Sequence, residues 1–190
     1  MTQSSPPRLD RRKLLHATAT GLAALTIATP LGVMSPRQAQ ATQTPLATLT
    51  ADEAATLEAF AETLCPGATE SGVSRFVDAQ LGSEHPLFML RYLDFNGDYT
   101  EFYRGGLAAI EALVLARHGG DYASLNADQQ AAIVGEMLGG APEGWNGPPS
   151  FLVYFSIRND ATDVTFGTPE GFAALGIPYM AHIEPPEGWS

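Results

Sequence analysis

Apolar stripes at helical spacing, each stopped by glycine or proline, limit this chain more than any other feature. Leu57, Phe60, Ala61 and Leu64 recur at i, i+3, i+4 and i+7, the period of one helix face rather than the alternation of a strand. Ahead of them Thr50-Ala51-Asp52-Glu53 reads as a capping box, in which the Thr50 hydroxyl accepts from the Glu53 amide and the Glu53 carboxylate reaches back. A helix is therefore expected from Ala51, with Asp52 and Glu53 complementing its positive end, until Pro66-Gly67 stops it. Val73, Phe76, Val77 and Leu81 mark a second, short helix, and Tyr99, Phe102, Tyr103, Gly106, Ile110, Leu113 and Val114 a longer one ending at His118-Gly119-Gly120. Asn126-Ala127-Asp128-Gln129 is another capping box and opens a helix through Leu138, which Gly139-Gly140 closes.

Two segments leave a choice open. Gly105-Gly106 inside the long helix costs roughly 1–2 kcal/mol relative to alanine, so either another backbone packs closely there or the helix bends. Phe151 to Ile157 suits a strand by its aromatic and β-branched content and a buried helix by its all-round hydrophobicity. A helix is preferred, with Ser150 as its cap. Since no series of alternating strands and hairpin turns occurs, the expected class is all-α. The expected form is a small irregular helical domain with a Gly/Pro-rich, aromatic, loop-rich C-terminal segment, to which 19 glycines and 14 prolines supply many of the corners. Pro142-Glu143-Gly144-Trp145, Pro169-Glu170-Gly171-Phe172 and Pro186-Glu187-Gly188-Trp189 share one turn chemistry. Their separations of 27 and 17 residues are unequal and forbid a regular solenoid. In each, proline presets φ, glycine permits a positive φ, and the ring anchors the corner, either in this chain's own core or in a partner.

The first forty residues have a different texture. Arg8, Arg11, Arg12, Lys13 and Arg37 hold half of the chain's 10 basic residues, and after them Leu14 to Val33 is mildly apolar, diluted by Thr18, Thr20, Gly21 and Pro30. The small-residue pattern Ala39-Gln40-Ala41 follows. This basic, apolar, small-residue order describes an export signal cleaved after Ala41, the rival reading being a membrane-spanning helix. Asp10-Arg11-Arg12-Lys13-Leu14-Leu15-His16 resembles the twin-arginine (Tat) signal, in which Arg11 and Arg12 are followed by apolar Leu14 and Leu15. Asp10, Leu14 and His16 depart from the residues usual at those places, so the arginine pair carries the likeness. The expected organisation is a signal over 1–41 and one helical domain over 42–190. That route exports folded proteins.

Residues 42–190 carry five arginines, no lysine and 20 carboxylates, a charge that repels phosphate backbones and anionic lipid and argues against nucleic-acid binding. The single cysteine, Cys65, excludes an intramolecular disulfide and any multi-thiolate metal site. With no histidine or second cysteine beside it in sequence, it reads as a buried structural thiol at a helix end. His85, His118 and His182 stand 33 and 64 residues apart and form no close metal spacing. Asp160 with Asp163, and Glu184 with Glu187, are pairs that arise by chance among so many acids, although two carboxylates are what glycoside cleavage needs. No nucleophile elbow, dinucleotide fingerprint or phosphate-binding loop occurs. A non-catalytic body is expected; the alternative is an independent periplasmic enzyme or metal binder using His85, His118 or His182, and a third reading is a solitary acidic structural protein.

Leu49-Thr50-Ala51-Asp52-Glu53-Ala54-Ala55-Thr56-Leu57, Tyr103-Arg104-Gly105-Gly106-Leu107-Ala108-Ala109, Leu125-Asn126-Ala127-Asp128-Gln129-Gln130, Arg158-Asn159-Asp160 and the stretch from Gly167 to Pro178 form a recognisable set. Together they resemble the gluconate 2-dehydrogenase subunit 3 family. The resemblance covers most of residues 46 to 184. It implies a small subunit without a cofactor of its own that carries the Tat signal for a flavin-bearing catalytic partner, a dehydrogenase of the glucose–methanol–choline type acting on sugars or alcohols. It further implies FAD in that partner, a multihaem cytochrome c carrying c-type haem in a third subunit, a passing encounter with the Tat translocase, and a periplasmic location held at the inner membrane through the partner subunits. Cys65 at a usually aliphatic position and the absence of lysine from the body are departures. Trp145, Phe166, Phe172, Tyr179 and Trp189 are the expected partner contacts, chosen for aromatic character in turn-rich sequence.

Overall fold

The computed structural model describes residues 25–29 and 32–178. It is built mainly of helices, as expected for the class. In chain order the elements are β1 (Ile27–Thr29), β2 (Gly32–Met34), α1 (Pro36–Ala41), α2 (Ala51–Leu64), α3 (Ala68–Ser71), α4 (Val73–Leu81) and a 3-10 turn at Met89–Leu93. They continue with α5 (Tyr99–His118), a second 3-10 turn at Tyr122–Ser124, α6 (Ala127–Gly139), α7 (Ser150–Phe166) and α8 (Pro169–Ala174). The strands form one antiparallel hairpin, Ile27 opposite Met34 and Thr29 opposite Gly32. Its formation was not anticipated, because a three-residue strand is too short to show alternation against an apolar background.

The helix starts follow from side chains that satisfy the first free amides. Thr50 and Glu53 close the expected capping box of α2, and Asn126 and Gln129 that of α6. Asp98 accepts from the Glu101 amide at 2.8 Å and opens α5, which ends at Gly119 in the left-handed region with φ +75°. The expected role of Ser150 is corrected: it is the first helical residue of α7, and its hydroxyl donates to the Gly140 carbonyl at 2.9 Å, tying α7 to the end of α6. The Pro66-Gly67 corner is held by Glu62, whose carboxylate accepts the amides of Gly67 at 2.7 Å and Thr69 at 3.0 Å. Burial pushes the Glu62 carboxyl upward, but these amides outweigh it and hold the group below the usual range.

Helix α7 is the common wall of the molecule. Val153, Ser156, Ile157, Asp160, Ala161 and Val164 bury one face of it, against α2 through α6 and α8. Opposite lie Leu57, Phe60 and Ala61 of α2, Val73, Phe76 and Val77 of α4, and Phe102, Tyr103, Leu107 and Ile110 of α5. Each fully buried large side chain contributes roughly 1.5–3 kcal/mol. Phe88 plugs one end, stacked obliquely on Tyr103 with ring centres 4.8 Å apart, and its segment is fixed by the Leu87 amide donating to Gln80 Oε1 at 2.8 Å. Cys65 is buried at the end of α2, as expected of a structural thiol.

The choice left open at Gly105-Gly106 resolves in favour of close packing. A Cβ on Gly106 would lie 2.9 Å from both methyl carbons of Val153, and one on Gly105 3.3 Å from the Pro148 ring. Gly106→Ala is therefore expected to lower stability by about 1–3 kcal/mol through overpacking, although alanine is the better helix former; a urea unfolding midpoint that rose instead would show that the seam yields. The segment ahead of α2 is pinned by Asp78, whose carboxylate accepts the amides of Ala47, Thr48 and Leu49 at 2.7–2.8 Å. Asp78→Asn replaces one acceptor by a donor facing the Ala47 amide, and a loss of about 2–3 kcal/mol is expected in the same measurement.

Candidate functional site

Two of the segments that carry the family resemblance, on α5 and α7, meet along the α5–α7 seam, and a third, the opening of α2, is tied to α5. Tyr103 on α5 and Asp160 on α7 are both buried, and the Tyr103 hydroxyl donates to Asp160 Oδ2 at 2.5 Å. One turn from Tyr103, Gly106 takes the Val153 side chain against its bare backbone. Arg104 points the other way, pairing with Glu53 at 3.1 Å and donating to the Thr48 carbonyl at 2.5 Å, so that the opening of α2 is tied to α5. Asn159 turns back to the Phe155 carbonyl at 2.7 Å. Of the Arg158-Asn159-Asp160 run, Arg158 is the exposed member and forms no ion pair among the described residues.

The electrostatics of the seam follow from burial. Desolvation pushes the Asp160 carboxyl from an ordinary 3.8 up to about 8, the Tyr103 hydrogen bond pulling it part of the way back and the charge of Asp163 one turn on adding to the rise. Burial and the neighbouring Asp160 hold the Tyr103 phenol well above its usual range. At neutral pH the pair is therefore an uncharged tyrosine–carboxylic acid contact inside the core. A hydrogen bond there restricts which residues can face each other across the seam, because an unpaired polar group at that depth is costly.

The other expected site residues are dispersed. His118 lies at the exposed end of α5, with Nδ1 3.3 Å from the Gln129 side-chain amide, and His85 lies in the exposed loop after α4. His182, Glu184 and Glu187 lie outside the described residues, as do Arg11, Arg12, Leu14, Leu15, Tyr179 and Trp189. Among the described residues no group of three His, Cys, Asp or Glu side chains is placed to hold a metal ion. Asp160 and Asp163 have unlike surroundings, the first in the core and the second exposed.

Of the expected partner contacts, Trp145 is half-buried and anchors its own corner. Its indole donates to the Pro148 carbonyl at 2.7 Å, and Gly144 before it has φ +84°. Phe166 is half-buried and packs on the core, and Phe172 is half-buried on α8. The sequence pattern missed the exposed end of α7, where Phe151 is about half exposed and stacks with Phe155 at 6.1 Å, while Arg158 continues the same face one turn on. Spacing at 151, 155 and 158 was the available signal, hidden because the opposite face is equally apolar.

The fold and the seam define a small helical protein whose resemblance-bearing residues are used to join helices. Over residues 51–181 it matches the family model described as Gluconate 2-dehydrogenase subunit 3, and the chain belongs to that family. It is accordingly an accessory subunit of a dehydrogenase complex that includes a catalytic partner. No curated protein and no solved structure matches it.

Because folding raises the Asp160 pKa, the native state keeps a proton that the unfolded chain has released. The resulting stability is present in full below about pH 4 and is lost as the pH climbs to about 8. Asp160→Asn is expected to flatten this slope, read as a smaller difference between urea midpoints at pH 5 and pH 8 than the unsubstituted chain shows.

Proposed function

We propose that this chain is the non-catalytic escort and stabiliser of a flavin-dependent dehydrogenase of the glucose–methanol–choline type, which it carries through the Tat pathway to the periplasm. The observation that carries the reading is family membership over residues 51–181 joined to the arginine pair Arg11-Arg12 ahead of an apolar stretch. A subunit with an address, bound to a folded partner, supplies the partner with export in trans. In this reading FAD belongs to the catalytic subunit, a multihaem cytochrome c is the third member, and the complex is held at the inner membrane through its partners. Its substrate is a sugar or alcohol. Partner contact is assigned to Phe172 and the aromatic residues beyond it, Tyr179 and Trp189, with Trp145 and Phe166 contributing only the parts of their rings that the core leaves uncovered.

Replacing Arg11 and Arg12 together by lysine is expected to leave the complex assembled but stranded in the cytoplasm, with periplasmic dehydrogenase activity reduced at least about tenfold. The check is fractionation followed by an activity stain and by purification on a C-terminal tag. A flavoprotein that still reaches the periplasm in normal amount would remove the escort role. A tagged subunit purified without any flavin absorbance would remove the partnership.

A further inference from the structure

The end of the apolar stretch, from Leu25, and the segment that joins it to α2 are folded onto the body. Helix α1 opens with its own capping box, the Gln38 amide donating to Ser35 Oγ at 3.2 Å and the Ser35 amide to Gln38 Oε1 at 3.1 Å. Ala39 is wholly buried and, with Ile27 of the hairpin, joins the same core cluster as α2 and α4. The Pro36 carbonyl lies so close over Gly72 that a Cβ there would stand 2.2 Å from its oxygen. Polar contacts hold each remaining turn. Arg37 pairs with Glu70 and donates to Ser71 Oγ at 3.0 Å, and Gln40 bridges Glu58 at 3.2 Å and Arg75 at 3.1 Å. The chain then closes on itself through the Thr44 amide, which donates to the Ala39 carbonyl at 2.9 Å. All of this precedes the family-matched region, which starts at residue 51.

We infer that Ala39-Gln40-Ala41, the pattern that reads in sequence as a processing site, is a structural strap of the folded subunit, and that the exported protein keeps residues 25–41. A signal peptidase reads small residues two apart, here Ala39 and Ala41, and a bound peptide is held extended by its backbone. In this structure that backbone is helical, and Ala39 faces the core. Cleavage after Ala41 therefore requires α1 to leave its seat, uncovering Ala39 and breaking the contacts of Arg37 and Gln40. The cutting rate then falls with the small population of that opened form. The inference rests on the proposed export in the folded state, because only then is the strap in place before the peptidase meets it.

The test compares the purified full chain with a synthetic peptide of residues 20–50, both given signal peptidase, with products read by mass. The folded chain is expected to be cut after Ala41 at least ~100-fold more slowly than the peptide. Gly72→Ala, which drives the Pro36 carbonyl off its seat, and Arg75→Ala, which removes one of the two contacts of Gln40 without touching the backbone, are each expected to raise that rate. The second variant keeps the test open if the first does not fold. A peptide that is not cut after Ala41 also supports retention. Equal rates for chain and peptide would overturn the inference, and so would a C-terminally tagged periplasmic species whose intact mass begins at Thr42. A periplasmic mass that includes Leu25 upholds it. A chain found only in the cytoplasm would sink the export reading instead, and the comparison in solution still decides the strap.

Discussion

Close contact between α5 and α7 is the constraint on which the rest of the molecule depends. Two helices approach within side-chain-free distance only where one offers a bare backbone, and Gly106 does so beneath Val153. One turn away the approach brings the Tyr103 hydroxyl within reach of Asp160, and the hydrogen bond they form is shielded from water by Phe88 and the neighbouring rings. Shielding explains why the carboxyl keeps its proton to about pH 8. From this seam α7 extends its buried face across α2, α4 and α6, so that the helices share one core.

The seam also gives a structural use to part of the family resemblance. Tyr103, Arg104, Gly105, Gly106 and Asp160 are residue types that could be taken for a reactive centre, yet each has a packing or tethering use in the fold. Tyr103 and Asp160 satisfy one another, the glycines admit Val153 and Pro148, and Arg104 ties the start of α2. Among the described residues Phe151, Phe155 and Arg158 line one face of α7, with Phe151 and Arg158 exposed and Phe155 half-buried, in a body whose charges are otherwise strongly acidic.

The strap formed by β1, β2 and α1 changes how the leading part of the chain is understood. A basic and apolar beginning followed by small residues has two physical meanings. The same alanines that suit a peptidase also suit a helix packed tightly against a glycine, because both settings exclude large side chains. Ala39 is buried and the Pro36 backbone rests on Gly72, an arrangement that the linear order of residue types leaves undetermined.

How much was legible depended on the range of the interaction. Helix bounds at Ala51, Val73, Tyr99 and His118 were readable because caps, glycine stops and a 3.6-residue period are local properties of a few neighbouring residues. The helical class and the family likeness were readable for the same reason. The meeting of Tyr103 with Asp160, 57 residues apart, was not, and neither was the reach of Asp78 to the amides of Ala47, Thr48 and Leu49. Ser150 shows the boundary between the two. Its position before an apolar run suggested a cap, but the Gly140 carbonyl that it meets comes from the end of another helix. The sequence by itself determined where α2, α4, α5 and α6 begin and end and how acidic the body is. Tertiary structure alone decided which glycine is a contact, which carboxylic acid keeps its proton and which alanine is covered, because each depends on the distance and solvent exposure that remote segments impose when they pack.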